Sequence, residues 1–379
     1  MSLGRFILKA SHQLQSKGWG SEVKFFGSGC DALALFAHRV LFTIDCQNGT
    51  YRKCWELDEG VRIDNLVTRD KEAFLRAENG TIFRVDRENE GLEAVLESTG
   101  RDINSALQAS ETLLAYTEKG CLTLYSPGER NIVAKVPVTT DSSSKMLFHP
   151  SGDFIVYMNS KSVTAYRIRP FEVMWELKPS EWFLQEDFWE FSKDSRYFII
   201  CPYEASTRVC DAYTGKALAV FRKGNDEIVT EAHLSQDNKL LIASSCDHSV
   251  RVWDFEKSQR LSRGQTYHAP KFSYGLDKDV LRIALSDHKE KCVDAVMPSD
   301  DFKRAISYTE GDSTFYCWDI ETGGLLGKHS FEFPIDDYRV EWHHQTAELH
   351  VVENTDGPNF ENNLRPAPPF IRFSHWTVD

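Results

Sequence analysis

Short apolar runs separated by turn-forming residues recur along the chain. Each run holds about four to eight β-branched, aromatic or aliphatic residues, and Gly, Asn, Asp or Ser follows it. Because helical periodicity is scarce, this spacing predicts β-strands joined by tight turns. The clearest example is Ser249–Gln259, SVRVWDFEKSQ, in which polar and apolar residues alternate before Trp253-Asp254. The pattern predicts an all-β protein.

The strands group into repeated units of about 40–50 residues with four strands each, a period typical of β-propeller blades. The four clearest units are Lys145–Leu177, Phe188–Phe221, Val229–Leu261 and Val293–His329. Three fainter units precede them: Glu22–Leu57, Arg62–Leu96 and Ile103–Val136. In the unit at 229–261 we expect the fourth strand directly after the EKS turn.

The two ends of the chain complete this prediction. Tyr338–Thr355 supplies two further strands and Pro369–Trp376 a third. Residues 5–11 are expected to add the fourth strand, because pairing both free edges would close the ring and remove an aggregation hazard. We therefore predict one domain over residues 1–379, with eight four-stranded antiparallel blades. Seven blades is the alternative if the Pro-rich segment 356–369 starts a tail rather than forming a loop.

The units resemble the WD-repeat (Trp-Asp repeat) β-propeller family across essentially the whole chain. The match is strong in SVRVWD and TFYCWDIETGG and weaker in STRVCDAYTGK, TIFRVD and VLFTID. The resemblance implies a buried hydrogen-bonded set in each blade: a His before the first strand, Ser or Thr in the second, Asp in the next turn, and the Trp. The structural repeat positions carried over are Ser245, Asp247, Trp253, Asp254, Asp312, Trp318 and Asp319.

The chain departs from the family pattern in two respects. Gly224-Asn225 stands where a Gly-His pair is expected, and Glu310 stands where the next unit should carry its hydroxyl residue. We therefore expect a divergent member with incomplete or rebuilt networks. The resemblance also suggests an alternative function, a cullin-ligase substrate receptor. The docking motif of such receptors has Arg or Lys two residues after Trp-Asp. Glu256 and Glu321 stand there, which argues against that function.

Composition and charge narrow the function classes. The net charge of −13 disfavours nucleic acid or an anionic membrane as the main partner, because phosphate binding needs a basic surface. No apolar window approaches the length of a membrane span. The nine cysteines include no C-x-x-C pair, so we expect neither a zinc ribbon nor a redox motif. Their scatter favours a reducing compartment, the cytoplasm or the nucleus.

Residues that carry chemistry in other proteins are assigned structural roles here. His343 and His344 are adjacent on a predicted strand and therefore point to opposite faces, which disfavours a metal site. The Gly-rich stretches 27–35 and 321–330 lack the spacing of a phosphate-binding loop, and Ser144 lies in no G-x-S-x-G motif. We predict no catalytic residue, no metal, no cofactor and no enzyme activity.

Aromatic residues on the longer connectors are the candidate functional residues. In this family, loops that join one blade's outer strand to the next blade's inner strand open on one face, which commonly docks peptides. Aromatic side chains on such rigid mounts gain much by burial at small entropic cost. The longer connectors are His12–Ser21, Lys178–Trp189 and an inter-blade insertion at 262–291. The predicted partner-binding residues are Trp19, Trp182, Phe183, Phe188, Tyr267, Phe272 and Tyr274.

These features together predict a non-catalytic protein-interaction scaffold, a WD-repeat subunit of a larger eukaryotic complex that docks partner peptides on its loop-bearing face. The first alternative is an RNA-processing or chromatin-associated module that contacts nucleic acid through a local basic face. The second is an enzyme that uses a metal in the central channel. The sequence leaves the partner and the oligomeric state open.

Overall fold

The computed structural model describes residues 6–15, 20–26, 31–36, 38–45, 50–57, 61–69, 72–86, 91–97, 106–141, 144–178, 188–201, 206–222, 228–262, 280–288, 292–309, 314–330, 337–343, 348–355 and 370–378. Within these ranges the backbone forms 32 strands and one helix. The prediction of an all-β protein is confirmed.

The described strands form eight four-stranded sheets, the number of blades that the sequence favours. Neighbouring strands are antiparallel. In seven of these sheets the four strands follow one another along the chain, and in the eighth the N-terminal strand stands beside the last strand. The chain divides into two compact units, the first mainly His149–Pro334 and the second mainly Ile7–Phe148 with Ile335–Val378.

The second unit holds four of the described sheets and one further strand. Its first strands are β1 (Phe6–Gln15), β2 (Gly20–Phe26), β3 (Asp31–Phe36), β4 (Val40–Asp45), β5 (Thr50–Glu56), β6 (Ile63–Arg69), β7 (Glu72–Ala77), β8 (Ile82–Asp86) and β9 (Gly91–Leu96). The others are β10 (Leu107–Ala109), β11 (Leu114–Glu118), β12 (Cys121–Ser126), β13 (Asn131–Pro137), β14 (Lys145–Phe148), β30 (Asp337–His343), β31 (Glu348–Thr355) and β32 (Phe370–Val378).

The first unit holds three complete sheets, the rest of the sheet that begins with β14, and the described helix. Its earlier strands are β15 (Phe154–Asn159), β16 (Ser162–Arg167), β17 (Glu172–Leu177), β18 (Phe188–Phe191), β19 (Tyr197–Cys201), β20 (Ser206–Asp211) and β21 (Ala217–Arg222). The later elements are β22 (Val229–Leu234), β23 (Leu240–Ser245), β24 (Ser249–Asp254), α1 (Phe255–Ser262), β25 (Leu281–Leu285), β26 (Ala295–Pro298), β27 (Arg304–Thr309), β28 (Thr314–Asp319) and β29 (Leu325–Ser330).

Burial differs between the second and the fourth strand of a sheet. The second strands β15 and β19 are buried along their whole length, and they are apolar except for Asn159 at the end of β15. The fourth strands β13 and β29 mix half-buried and exposed positions, as does β17 apart from the buried Trp175. This gradient is expected where sheets pack face to face and only the last strand of each meets solvent.

Apolar side chains between consecutive sheets form the core of each unit. In the first unit one cluster includes Val209 and Phe221 of the β18–β21 sheet and Trp253 of the β22–β25 sheet. A second cluster joins Val252 of the latter sheet to Trp318 of the β26–β29 sheet. Because Trp253 and Trp318 are each only 2% exposed, they contribute among the largest buried areas in the unit.

One turn geometry recurs between the first and second strands of four sheets. The fourth residue of each turn has a positive φ, and its N–H donates to the carbonyl oxygen of the first residue at 2.8 Å. The four turns are His149–Gly152, Ser192–Ser195, Ser235–Asn238 and Ser299–Phe302. Turn-forming residues at these points were predicted from the sequence, and the repeated backbone confirms that the units are copies of one motif.

The prediction of a fourth strand directly after EKS is wrong. Residues 255–262 form α1, and the strand that pairs with β24 is β25, nearly twenty residues further on. The Asp254 carboxylate accepts the Lys257 N–H at 2.8 Å and so caps the helix, while Glu256 and Arg260 form an ion pair one turn apart. The segment predicted as an inter-blade insertion therefore includes a strand of the same sheet.

The N-terminal strand β1 stands beside β32 and completes the sheet of β30, β31 and β32. In that sheet Val351 lies opposite Val340 on one side and opposite Ser374 on the other. The Pro-rich segment 356–369 lies outside the described residues. Closure of a ring and a single domain over residues 1–379 stay predictions.

Candidate partner-binding site

Of the seven predicted partner-binding residues, the structure describes one, Phe188. The other six lie outside the described residues: Trp19, Trp182, Phe183, Tyr267, Phe272 and Tyr274. Their assignment therefore stays a prediction.

Each sheet has two edges with different connections. Because successive strands run in opposite directions, the turns from the first to the second strand and from the third to the fourth lie at one end of the strands. This end of the sheet is called the turn edge. The second-to-third turns and the links to the next sheet leave from the other, the connection edge. The Phe255 N–H donates to the Lys239 carbonyl oxygen at 2.7 Å on the turn edge. The Asn238 amide donates to the Asp194 carboxylate at 2.7 Å, so the turn edges of neighbouring sheets lie side by side.

The predicted residues follow different elements along the chain. Residues 178–187 stand between β17 and β18 in the sequence. Residues 263–279 join α1 to β25, whose Leu281 lies opposite Trp253 at the turn edge. The prediction that 262–291 is an inter-blade insertion is wrong, because residues 281–285 form the fourth strand of the β22–β25 sheet.

Phe188 begins β18, a strand whose four residues are all half-buried. Its ring packs against the core cluster of the first unit and meets the His233 imidazole edge-on, with ring centroids 5.0 Å apart. A ring that packs against the core on one side and is only half-buried suits contact with a partner. Little conformational entropy is lost when a partner covers such a ring.

A histidine between two glutamates lies next to Phe188. His233 Nδ1 is 3.0 Å from Glu190 Oε1, and Nε2 is 3.8 Å from Glu231 Oε2. The Glu231 carboxylate also accepts the Val296 N–H at 2.9 Å. The group therefore joins β18, β22 and β26, the first strands of three consecutive sheets. We call Phe188, Glu190, Glu231 and His233 the Phe188 patch.

Sequence reasoning missed the three polar members of the Phe188 patch. Glu190 and His233 occupy the same repeat position, each two residues before the serine, Ser192 or Ser235, that opens the first turn. Aligning the units on the turns SKDS and SQDN would have placed these two residues at the same position on the first strands of consecutive units. The search for function by aromatic content alone passed over this signal.

The glutamates determine the charge of His233. Burial on its own would lower the pKa of the imidazole, but the carboxylates of Glu190 and then Glu231 outweigh it and raise the pKa to about 10. The His233 side chain is 21% exposed, and those of Glu190 and Glu231 are 32% and 29% exposed. At neutral pH the patch thus carries two carboxylates and one imidazolium beside a phenyl ring.

A buried polar network lies in the β26–β29 sheet. Ser307 Oγ is 2.8 Å from Trp318 Nε1 and 2.8 Å from His288 Nε2. His288 Nδ1 is 3.2 Å from the His248 carbonyl oxygen. His288 and Ser307 are fully buried, so the two hydrogen bonds of Ser307 are protected from water. These residues combine a histidine before the first strand, a hydroxyl in the second and the Trp.

This network corrects the expected position of the hydroxyl. The Gly224-Asn225 pair, expected to stand in place of Gly-His in the preceding unit, lies outside the described residues, so the missing histidine of that unit stays a prediction. In the β26–β29 sheet the histidine is His288, and the hydroxyl belongs to Ser307 rather than to position 310. Ser307 stands two residues beyond Ala305, which pairs with Trp318. In the preceding sheet the equivalent residue is Ala243, two beyond Leu241, which pairs with Trp253. The predicted hydroxyl residue, Ser245, therefore lies two residues beyond the position that corresponds to Ser307.

Ser245 and Asp247 shape a turn instead. The Ser245 hydroxyl accepts the Asp247 N–H at 3.2 Å, and Asp247 Oδ1 accepts the Ser249 N–H at 3.2 Å and its hydroxyl at 2.7 Å. Asp247 Oδ2 pairs with Arg251 at 2.9 Å. The predicted structural role of both residues agrees with these bonds, although the partners differ from the family set.

The Asp of each Trp-Asp pair organises the chain that follows it. Asp254 caps α1, and Asp319 Oδ1 accepts the Thr322 N–H at 2.8 Å in the turn before β29. This backbone hydrogen bond is the main cause that lowers the pKa of Asp319. Asp312 lies outside the described residues, so its role stays a prediction.

Within the described residues no group of three or more His, Cys, Asp or Glu side chains has an arrangement that would hold a metal ion. In the same part of the chain no helix has the length and apolar character needed to cross a membrane.

One family profile and several solved structures resemble this chain. The profile of the WD domain, G-beta repeat, matches residues 215–254, which run from the turn before β21 to the end of β24. No curated protein sequence matches the chain. The C-terminal WD40 domain of Sif2 has a similar structure, with a TM-score of 0.67 and 11% identity over 100% of this chain and 99% of that one. Residues 215–254 therefore match one WD repeat, and the chain has the fold of WD40 β-propeller domains.

Two further solved structures resemble this propeller. The computationally designed Ika8 protein has a TM-score of 0.64 at 14% identity, over 91% of this chain and 95% of that one. The β-propeller domain of Myceliophteria thermophila Cps50 (Swd1) has a TM-score of 0.52 at 13% identity, over 99% of this chain and 100% of that one. At such identities the likeness is one of fold. WD-repeat propellers generally serve as scaffolds that bind other proteins.

Proposed function

We propose that this WD-repeat propeller is a non-catalytic scaffold subunit that binds a segment of a partner protein along the first strands of the β18–β21 and β22–β25 sheets. The observation that carries the proposal is the Phe188 patch. It combines a half-buried aromatic ring with two partly exposed carboxylates on rigid strands. A rigid mount lowers the entropic cost of docking.

The chemistry of the patch favours a basic partner segment. A Lys or Arg side chain would pair with the carboxylates of Glu190 and Glu231 and contact the face of the Phe188 ring. The whole chain carries a net charge of −13, which favours approach of a basic segment over an acidic one.

The predicted aromatic residues extend this proposal. Trp182 and Phe183 lie on the segment that leads directly into β18 and would lengthen the Phe188 patch at the connection edge. Tyr267, Phe272 and Tyr274 belong to a segment anchored at the turn edge and would form a separate contact. Trp19 lies between β1 and β2 and would add a third.

Affinity purification followed by mass spectrometry tests the proposal. The bait is the full chain as wild type, as Glu190→Gln, as Trp182→Ala/Phe183→Ala, and as Val173→Ala. Val173 is 56% exposed on the fourth strand β17 and serves as the matched apolar control. We expect Glu190→Gln and the double variant each to recover the main partner at least fivefold less well and the control to recover it fully. Full recovery by Glu190→Gln, at equal melting temperature, would remove the Phe188 patch, and full recovery by the double variant would remove Trp182 and Phe183 from the site.

The same purification separates the alternatives. A complex that falls apart on nuclease treatment, with binding that weakens steeply as salt is added, would favour a nucleic-acid module. The expected location in the cytoplasm or nucleus is part of the proposal, and imaging of the tagged chain checks it.

A further inference from the structure

Two cysteines of the first unit meet on the connection edge. Cys246 follows β23, Cys292 precedes β26, and the two are joined by a disulfide across 46 residues of sequence. Both are partly exposed, so small reagents reach them. Their spacing in the sequence gave no indication of the pair.

Hydrogen bonds around the two cysteines hold them together independently of their sulfur atoms. The Val293 N–H donates to the Ser245 carbonyl oxygen at 3.2 Å, which directly links the neighbours of the two cysteines. The Thr230 hydroxyl donates to the Val293 carbonyl oxygen at 2.6 Å and accepts from the Ser244 hydroxyl at 2.7 Å. Because these hydrogen bonds do not involve the sulfur atoms, we expect the two thiols to stay close together when reduced.

The disulfide connects the β22–β25 sheet to the link that leads into the β26–β29 sheet. Cys246 lies in the turn that offers the His248 carbonyl oxygen to His288, and His288 belongs to the buried network of the next sheet. Cys292 lies four residues after His288, on the same link. A disulfide therefore adds a covalent bond where the β22–β25 sheet already holds the link to β26 by hydrogen bonds.

The other described cysteines differ from this pair. Cys201, Cys210 and Cys317 are buried in strands, and burial raises the pKa of Cys210 to about 12 and that of Cys317 to about 11. They stay thiols and behave as small apolar side chains. Cys121 is partly exposed with no disulfide partner in the described chain, which makes it an internal control.

We propose that Cys246 and Cys292 are a reversible thiol–disulfide modification site, which fastens the β22–β25 sheet to the link into β26 when the surroundings become oxidising. The oxidant is a low-molecular-weight disulfide such as glutathione disulfide. This role agrees with the expectation of a reducing compartment, where disulfides are usually transient and redox-sensing.

The reaction follows thiol–disulfide exchange. The thiolate of one cysteine attacks a glutathione sulfur, forms a mixed disulfide and releases one glutathione thiolate. The second cysteine loses its proton and attacks the protein sulfur of the mixed disulfide, releasing the second glutathione. Two protein thiols are oxidised to one disulfide, and one glutathione disulfide is reduced to two glutathione molecules.

The test equilibrates the purified full chain in buffers of increasing ratio of oxidised to reduced glutathione, then alkylates free thiols and maps peptides by mass spectrometry. We expect the Cys246–Cys292 linked peptide to rise from less than a tenth to more than nine-tenths of the protein across the series, and to fall again on return to reduced glutathione. The melting temperature should be higher in the oxidised form.

Matched variants distinguish the pair from general oxidation. Cys121→Ser should leave the linked peptide and the redox shift in melting temperature unchanged, while Cys246→Ser and Cys292→Ser should each abolish both. Full alkylation of both cysteines at every glutathione ratio would overturn the proposal. A linked peptide that persists in the native protein under excess reduced glutathione would also overturn it, since the bond would then be permanent.

Discussion

The Ser307 hydroxyl oxygen lies 2.8 Å from both Trp318 Nε1 and His288 Nε2. The indole N–H only donates, so Ser307 accepts from Trp318 and its own proton points to His288 Nε2. His288 then carries its proton on Nδ1 and donates to the His248 carbonyl oxygen at 3.2 Å. One chain of donors thus ties the third strand of the β26–β29 sheet, through its second strand, to the turn of the preceding sheet.

Replacing Ser307 by Ala should therefore destabilise the first unit. The substitution leaves the buried Trp318 N–H without its acceptor and His288 Nε2 without its donor, at a cost of about 1–3 kcal/mol. Chemical denaturation of the purified chain measures this. Ser162→Ala is the control, because Ser162 is half-buried and its hydroxyl lies 3.5 Å from Thr164 Oγ1. Equal stability of the two variants would mean that the network contributes nothing.

His233 should make stability depend on pH in a defined window. Its pKa rises from about 6.5 in the unfolded chain to about 10 in the fold, so the stabilisation is complete below pH 6.5 and is lost as the pH rises towards 10. The difference in unfolding free energy between wild type and His233→Gln should fall by on the order of 2 kcal/mol over that range.

His149→Gln is the control for this pH dependence. Burial lowers the pKa of His149, so this imidazole is neutral in both states above pH 7 and its contribution should stay constant up to pH 10. Thermal unfolding at intervals of one pH unit compares the two variants. A constant difference for His233→Gln would show that the glutamates do not hold its proton.

Arg76 should be one of the most sensitive positions of the second unit. It is 1% exposed, and its guanidinium donates to the Thr117 carbonyl oxygen at 2.7 Å and to that of Ala106 at 3.3 Å. Arg76→Met should cost about 2–4 kcal/mol, because two buried carbonyl groups lose their charged donor. Arg130→Met should cost less than about 1 kcal/mol, since Arg130 is 77% exposed in its ion pair with Glu93. Denaturant midpoints that move equally would contradict this.

Gly215 should tolerate no side chain. Its φ is +67°, and an added Cβ would lie 2.8 Å from Trp175 Cδ2. The Trp175 ring cannot withdraw freely, because its Nε1 donates to the Ala212 carbonyl oxygen at 3.0 Å. Gly215→Ala should destabilise by about 2 kcal/mol or more, whereas Gly128→Ala, with nothing within 4 Å of the new Cβ, should stay within about 0.5 kcal/mol. A melting temperature unchanged by Gly215→Ala would refute this.

The strand pattern and the blade type could be predicted from the sequence because both are local properties. Alternation before Trp253-Asp254 indicates an extended strand, and a turn such as Ser235–Asn238 uses residues that are neighbours in the chain. The repeat of these local signals was enough to indicate a propeller. The hydroxyl partner of the Trp was misplaced, because strand pairing and not spacing selects Ser307 over position 310.

Tertiary structure alone decided the contacts between distant residues. His233 meets Glu190 across 43 residues, and Cys246 meets Cys292 across 46. The fourth strand of the β22–β25 sheet can lie far beyond α1, because the entropic cost of a loop grows only slowly with its length. Sequence spacing therefore does not locate this strand. By itself the sequence determined the repeated strands, the tight turns and the buried Trp residues. Packing of one sheet against the next decided which polar side chains meet, since that packing joins residues that no local pattern connects.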